Sequence, residues 1–269
     1  MSRQMCVLYA FMRHTDDLGD REDLSIDQRR ALLKQWRTDV QSALAGGDGA
    51  HPLLPALGDV VQKCQIPEEH LQEVISGVES DLDLETFSTF EQLEKYCYQV
   101  AGVVGLCCLK IWEYRNDEAI PAAIACGTAF QLTNILRDLR EDAGRGRVYL
   151  PQEELARFGV SFDQIRSGEV TPEFRELMRF QVARAWDFYH RAAPLYHDLS
   201  SSGQRIFVAF CEVYSSLLKE IERADYDVLT RRISLARLKK GWIALRCLLR
   251  IPSGAPRFLE RNPVPAESH

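Results

Sequence analysis

Gln131 to Pro151 reads QLTNILRDLREDAGRGRVYLP, and this stretch decides the fold. At about 100° per residue on a helix, Gln131, Asn134, Asp138 and Asp142 fall on one stripe, with the two aspartates on adjacent turns. Leu132, Ile135, Leu136 and Leu139 lie beside that stripe, so the helix is apolar around much of its girth and its acids face an interior. Carboxylates and a carboxamide are oxygen donors suited to a hard cation, and Mg²⁺ is commonly held by one or two carboxylates plus substrate phosphates. The spacing by itself is better read as a solvated face, with Asp138 and Asp142 paired to Arg137, Arg140 or Arg145.

A second acidic cluster shifts that balance. Asp16-Asp17-Leu18-Gly19-Asp20 again sets carboxylates four apart, Asp16 and Asp20, behind a hydrophobic lead of Val7, Leu8, Tyr9, Phe11 and Met12. Two such helices facing each other hold several Mg²⁺ ions against a diphosphate. They neutralise it as a leaving group and let an allylic carbon ionise in a dry cavity.

Three blocks, Tyr9 to Asp20 (YAFMRHTDDLGD), Tyr96 to Gly105 (YCYQVAGVVG) and Gln131 to Pro151, resemble the signature blocks of the squalene/phytoene synthases, and the likeness runs over nearly the whole chain. The resemblance implies an all-α, single-domain isoprenoid-synthase helical bundle with a central active-site cavity. It implies the head-to-head joining of two prenyl diphosphates through a cyclopropylcarbinyl diphosphate, with Mg²⁺ as cofactor. By motif, Asp16 and Asp20 are the first metal pair and Asp138 and Asp142 the second. Gln131 and Asn134 line the site near the diphosphates, Arg13 and Arg137 face them, and Tyr96 lies beside the reacting carbons. Tyr214 and Arg231, seventeen positions apart, contact the diphosphate region by the same resemblance. Their ordinary alternatives are a core tyrosine and a helix-terminal arginine. Relatives usually carry a further helix and a Ser/Phe-containing segment before the first motif, so one wall of the site is expected to be short or differently covered.

The 269 residues, with 46% hydrophobic content and no linker-like stretch, read as one helical domain over 1–251 and a disordered tail over 252–269. A net charge of −6 argues against a general nucleic-acid surface. Eight cysteines without a C-x-x-C pair read as free thiols in a reducing cytoplasm. No secretory signal is visible, and the most apolar run, Val100 to Leu109, is too short to span a bilayer. The expected location is therefore cytoplasmic. Ser234 to Ile251 is basic and amphipathic, which suits peripheral contact with an anionic membrane or docking on the domain.

Along the chain, Ser25 caps a helix to Ala45 that Gly46-Gly47-Asp48-Gly49 breaks. His51 to Cys64 and Pro67 to Gly77 are short helices, and Asp81, Asp83 and Glu85 form an exposed, solvated charge run. Phe90 to Trp112 is one apolar helix, its Ala101, Gly102 and Gly105 permitting close approach or a kink. Gly144 to Arg147 offers two guanidiniums that can close over diphosphates. Gly159 to Thr171 is turn-rich, Pro172 to His197 is amphipathic helix, and Gly203 to Leu229 is the last large helix, with Phe207, Phe210, Tyr214 and Leu217 inward. Tyr9, Phe11 and Phe130 offer aromatic faces to carbocations or simply fill the core.

Three functions follow. Farnesyl diphosphate as substrate gives presqualene diphosphate and a squalene-type C30 product, and the general cast of the motifs leans this way. Geranylgeranyl diphosphate gives phytoene. A non-catalytic scaffold of the same fold is the third, and the presence of all four aspartates argues against it. No G-x-G-x-x-G fingerprint is present, which leaves NADPH use open.

Overall fold

The computed structural model describes residues 2–47, 50–83 and 86–235. Among them it is 74% helical without a strand, and two isolated bridges, Thr86 to Val148 and Tyr114 to Leu199, only pin loops together. In chain order the helices are α1 (Ser2–Gly19), α2 (Ile26–Leu44), α3 (Leu54–Cys64), α4 (Glu68–Ser80), α5 (Phe90–Cys97), a π-helical turn (Tyr98–Gly102), α6 (Val103–Trp112), α7 (Ala119–Gly144), α8 (Gln152–Phe158), α9 (Phe162–Ser167), α10 (Pro172–Ala192), α11 (Leu195–Asp198) and α12 (Ser201–Arg223).

Their starts follow side-chain capping. Ser25 and Ser161 each form a full capping box, with Gln28 and Gln164 respectively, while Thr89, Thr171 and Ser200 accept from backbone amides of their own first turns. The turn-rich reading of Gly159 to Thr171 thus gives way to α9, a short helix that its own capping box supports. The expected helix to His197 breaks at Pro194, which lacks the amide needed to continue. The last helix stops at Arg223 rather than Leu229, because Asp225 and Tyr226 turn left-handed at φ of 52° and 60°.

The long α7 is the centre. It packs against α10, the π-helical turn, α6 and α12, and most of its first half is small: Ala122, Ala123, Ala125, Gly127, Thr128 and Ala129 are all buried. Small residues let backbones approach. A Cβ on Gly105 of α6 would stand 2.6 Å from the Ala123 carbonyl oxygen, and one on Gly127 would run into the Ala101 carbonyl. The close approach expected of Ala101, Gly102 and Gly105 is therefore present, and the single helix expected from Phe90 to Trp112 is two α-helices joined by a π-helical turn. By length and composition α7 is apolar enough to cross a bilayer, with a mean hydropathy of 1.4 over its most apolar window, but 67% of that window is buried inside the bundle.

Below the small half, Leu132, Ile135, Leu136 and Leu139 fill the core, each such side chain contributing about 1.5–3 kcal/mol when fully removed from water. Thr133 back-bonds to Ala129 and meets the Tyr189 hydroxyl of α10 at 3.0 Å, which fixes α7 against its main neighbour. On the other side Thr15 of α1 donates to the Phe11 carbonyl and accepts from the Trp36 indole of α2 at 3.0 Å. Phe11 packs fully buried against the same indole, whereas Tyr9 and Phe210, expected to turn inward, are exposed. The seven described cysteines are free thiols. Residues 236–251 of the basic amphipathic stretch and the tail 252–269 lie outside the described residues, as do Asp48 and Gly49 of the glycine-rich break and Glu85 of the acidic run.

Candidate active site

Both acid pairs sit where helices end. Asp16 lies in the last turn of α1, and the Asp20 amide donates back to the Asp16 carbonyl at 2.9 Å, so their side chains share one face. Asp138 and Asp142 occupy the last two turns of α7. A helix C-terminus carries partial negative charge, and neither last turn holds a basic residue to offset it. These positions are poor for carboxylates alone and good for a cation.

The two ends meet. Arg145, immediately beyond α7, pairs with Glu22, just beyond α1, at 3.3 Å. Asp16 and Asp20 are exposed to solvent and Asp138 and Asp142 half-buried; protein atoms crowding the Asp16 carboxyl, followed by the charge of Asp20, push it up to about 6. Burial followed by the charge of Asp138 pushes Asp142 up to about 7. The four carboxylates are hard oxygen donors in two pairs, each one helical turn apart. Among the described residues no three His, Cys, Asp or Glu side chains converge as a complete ligand set. Paired carboxylates with room for water and phosphate oxygens are the donor set that Mg²⁺ accepts, so the residues fit that ion.

Beside the pairs lies a group that the sequence pattern assigned to solvent. Asp81, at the C-terminal cap of α4, accepts from the Tyr96 hydroxyl through Oδ2 at 2.9 Å and from the Tyr149 hydroxyl through Oδ1 at 3.1 Å. The two rings stack at 5.4 Å and 27°, with Phe87 against both. Burial raises the Asp81 carboxyl to about 6 even against these bonds and the nearby Arg147, and Arg147 lies within the field of both Asp81 and Asp20. The solvated reading holds for Asp83, which is exposed and pairs with Arg30 at 2.7 Å. It fails for Asp81. No spacing rule marked it, because its partners come from α5 and from the loop after α7. The one usable signal was that Tyr149 closes the motif opened by Gln131.

The remaining candidates are distributed unevenly. Arg137 forms a two-pronged contact with Asp138, one arm at 2.8 Å, while Arg13 pairs with Asp17 rather than with the paired acids. Gln131 and Asn134 are half-buried on the same stripe of α7. Tyr214 of α12 stacks on Phe130 of α7 at 4.4 Å and 12° and lies within the field of Arg137. Arg231 is exposed and donates back to the Ala224 carbonyl at 3.0 Å, while its neighbour Arg232 reaches Glu141 of α7 at 3.6 Å.

The sequence model of squalene/phytoene synthases matches residues 1–239. The chain belongs to that family. Its members are prenyltransferases. Among relatives, it is 36% identical over 244 residues to phytoene synthase 2, chloroplastic, of Solanum lycopersicum, covering 88% of this chain and 78% of that one. It is 36% identical over 253 residues to the phytoene synthase of Arthrospira platensis, covering 87% and 79%. Other plant phytoene synthases are longer, and the chain spans 63% and 56% of two of them. A crystal structure of a dehydrosqualene synthase in complex with ligand superposes with a TM-score of 0.83 at 26% identity, over 93% of this chain and 87% of that one. For this squalene/phytoene synthase family member the all-α isoprenoid-synthase fold is thereby shown.

Proposed function

We propose that the chain condenses two molecules of geranylgeranyl diphosphate head to head, through a cyclopropylcarbinyl diphosphate, to phytoene. The observation that carries the choice of chain length is that its relatives at 34 to 36% identity are named phytoene synthases. The farnesyl diphosphate and C30 expectation yields to it. Dehydrosqualene synthase resembles the chain in fold at lower identity, 26%, and keeps the C30 product as the second reading.

In this reading Asp16 and Asp20 on one side, and Asp138 and Asp142 on the other, would hold Mg²⁺. The ion supplies positive charge against the diphosphate as it leaves. Arg13, Arg137, Tyr214 and Arg231, with Gln131 and Asn134, would face the diphosphates, for which Arg137 must let go of Asp138, Arg13 of Asp17 and Arg231 of the Ala224 carbonyl. One allylic carbon ionises and the double bond of the second molecule attacks it. Loss of a proton closes the cyclopropane. Loss of the second diphosphate and rearrangement gives an allylic cation, and departure of a proton yields phytoene. That last step needs no hydride, so NADPH is not required, whereas reduction to squalene would need it. Tyr96, with its stacked partner Tyr149, offers an aromatic wall to the cationic stages.

The test incubates purified protein with Mg²⁺ and either farnesyl or geranylgeranyl diphosphate, with and without NADPH, and reads products by mass spectrometry after phosphatase treatment. Phytoene, indifferent to NADPH, is expected. A C30 product would move the assignment to the second reading. Absence of product together with absence of Mg²⁺-dependent thermal stabilisation by diphosphate would leave a scaffold.

A further inference from the structure

Asp81 is a half-buried carboxylate that the proposed chemistry leaves without a task. Each of its oxygens takes a different tyrosine: Tyr96 from α5 at 2.9 Å and Tyr149 from the loop after α7 at 3.1 Å. Those tyrosines belong to segments 53 residues apart, and they stack at 5.4 Å and 27° with the carboxylate as their common acceptor. Asp81 itself is the last link of α4, which packs against the π-helical turn following Tyr96. The carboxyl thus ties three parts of the chain at one point, within the electrostatic reach of Arg147 and Asp20.

We infer that Asp81 is a positioning residue, which fixes the hydroxyls and rings of Tyr96 and Tyr149 in the one orientation in which they meet the substrate. This rests on the prenyl diphosphate reading, since that chemistry uses the aromatic wall. A carboxylate offers an oxygen to each hydroxyl, and both bonds are charge-assisted. An aromatic face stabilises a passing cation only where the ring is aimed, and a displacement of about 1 Å can cost roughly 100-fold in rate.

The experiment combines Asp81→Ala, Asp81→Asn, the pair Tyr96→Phe/Tyr149→Phe, and the triple variant carrying Asp81→Ala with both phenylalanines. Asp81→Ala is expected to lower kcat by roughly 10- to 100-fold with KM for the diphosphate little changed. Asp81→Asn keeps the shape, accepting from one hydroxyl and donating to the other, and is expected to stay within roughly fivefold of wild type. Once both hydroxyls are gone Asp81 has nothing to hold, so Asp81→Ala should add less than about twofold to the double variant, a coupling that independent roles would not show. Equal losses in Asp81→Asn and Asp81→Ala, or losses that multiply in the triple variant, would overturn the inference.

If Asp81→Ala fails to fold, Asp81→Asn and the double variant still carry the comparison. A second readout needs no turnover. In near-ultraviolet circular dichroism Asp81→Ala should lose the same tyrosine band as the double phenylalanine variant, with the far-ultraviolet helix signal kept. An unchanged tyrosine band would sink the positioning role. Failure of the functional reading would appear separately, as a wild-type protein that converts neither prenyl diphosphate.

Discussion

The two acid pairs look alike in sequence and differ in the folded chain. Both occupy helix C-termini, where the backbone itself opposes carboxylates. In the α7 pair Asp138 already holds a guanidinium, that of Arg137, while burial and the charge of Asp138 outweigh the fields of Arg145 and Arg147 at Asp142, which rises to about 7. In the α1 pair the adjacent arginine turns to Asp17, and Asp16 rises to about 6 through crowding and Asp20. One pair is half-neutralised by direct contact with a guanidinium, whereas the other feels Arg13 only through space. Neither arrangement holds helices together, which Thr15, Trp36, Thr133 and Tyr189 do a turn or two away, and this is what the proposed ligand role of both pairs accounts for.

The comparison breaks most forcefully with neutral isosteres. Asp16→Asn and Asp142→Asn should each lower turnover by on the order of 10²–10³, the scale of losing one preorganised electrostatic partner. The same variants should melt, without Mg²⁺, no lower than the parent, because each removes a repulsion. Activity assays and thermal melts on the same preparations check both halves. A folded variant with parental turnover would detach that pair from the reaction.

A smaller effect comes from pH. Asp16 and Asp142 hold protons more tightly folded than unfolded, where the ordinary value is 3.8. Their contribution to stability is therefore fully present below about 4 and is lost as pH rises through about 6 and 7. In the proposed reading Mg²⁺ would replace the missing protons at high pH and compete with them at low pH. The rise in Tm on adding Mg²⁺ should be larger near pH 8 than near pH 5, by on the order of 2–4 °C for each kcal/mol recovered in a chain of this size. Melts across that range decide it, and a rise independent of pH would mean that these carboxyls are not the ones Mg²⁺ reaches.

How much of this was legible in the sequence depends on how local the cause is. Ser25 and the paired aspartates were readable because capping and helical spacing act within four residues. The central place of α7 followed from its girth of leucine and isoleucine at Leu132, Ile135, Leu136 and Leu139, while the small residues of its first half, Ala122 to Ala129, went unread. The π-helical turn at Tyr98 to Gly102 was only half visible: Ala101 and Gly102 announced close packing, but the extra residue in the turn answers to Gly127 across the interface. Asp81 was misread because an alternating acidic run looks solvated until α5 and the Tyr149 loop fold over one of its members. Phe210 was misread for the opposite reason, as an aromatic on an apolar helix that happens to face out.

Arg137 offers the finest cut between the pairs. Arg137→Gln removes the internal neutralisation of Asp138 and makes the α7 pair resemble the α1 pair. Two consequences run in opposite directions. Mg²⁺ alone should bind more tightly, by roughly threefold to tenfold, since a competing positive charge within contact distance has gone. Yet kcat/KM for the prenyl diphosphate should fall by about tenfold, a charged hydrogen bond to the substrate having been lost. Calorimetric titration with Mg²⁺ in the absence of substrate, set beside steady-state kinetics, separates the two. Weaker Mg²⁺ binding in the variant would show that Arg137 shapes the acid pair instead of competing with its ion, and the difference between the two pairs would then lie in geometry rather than in charge.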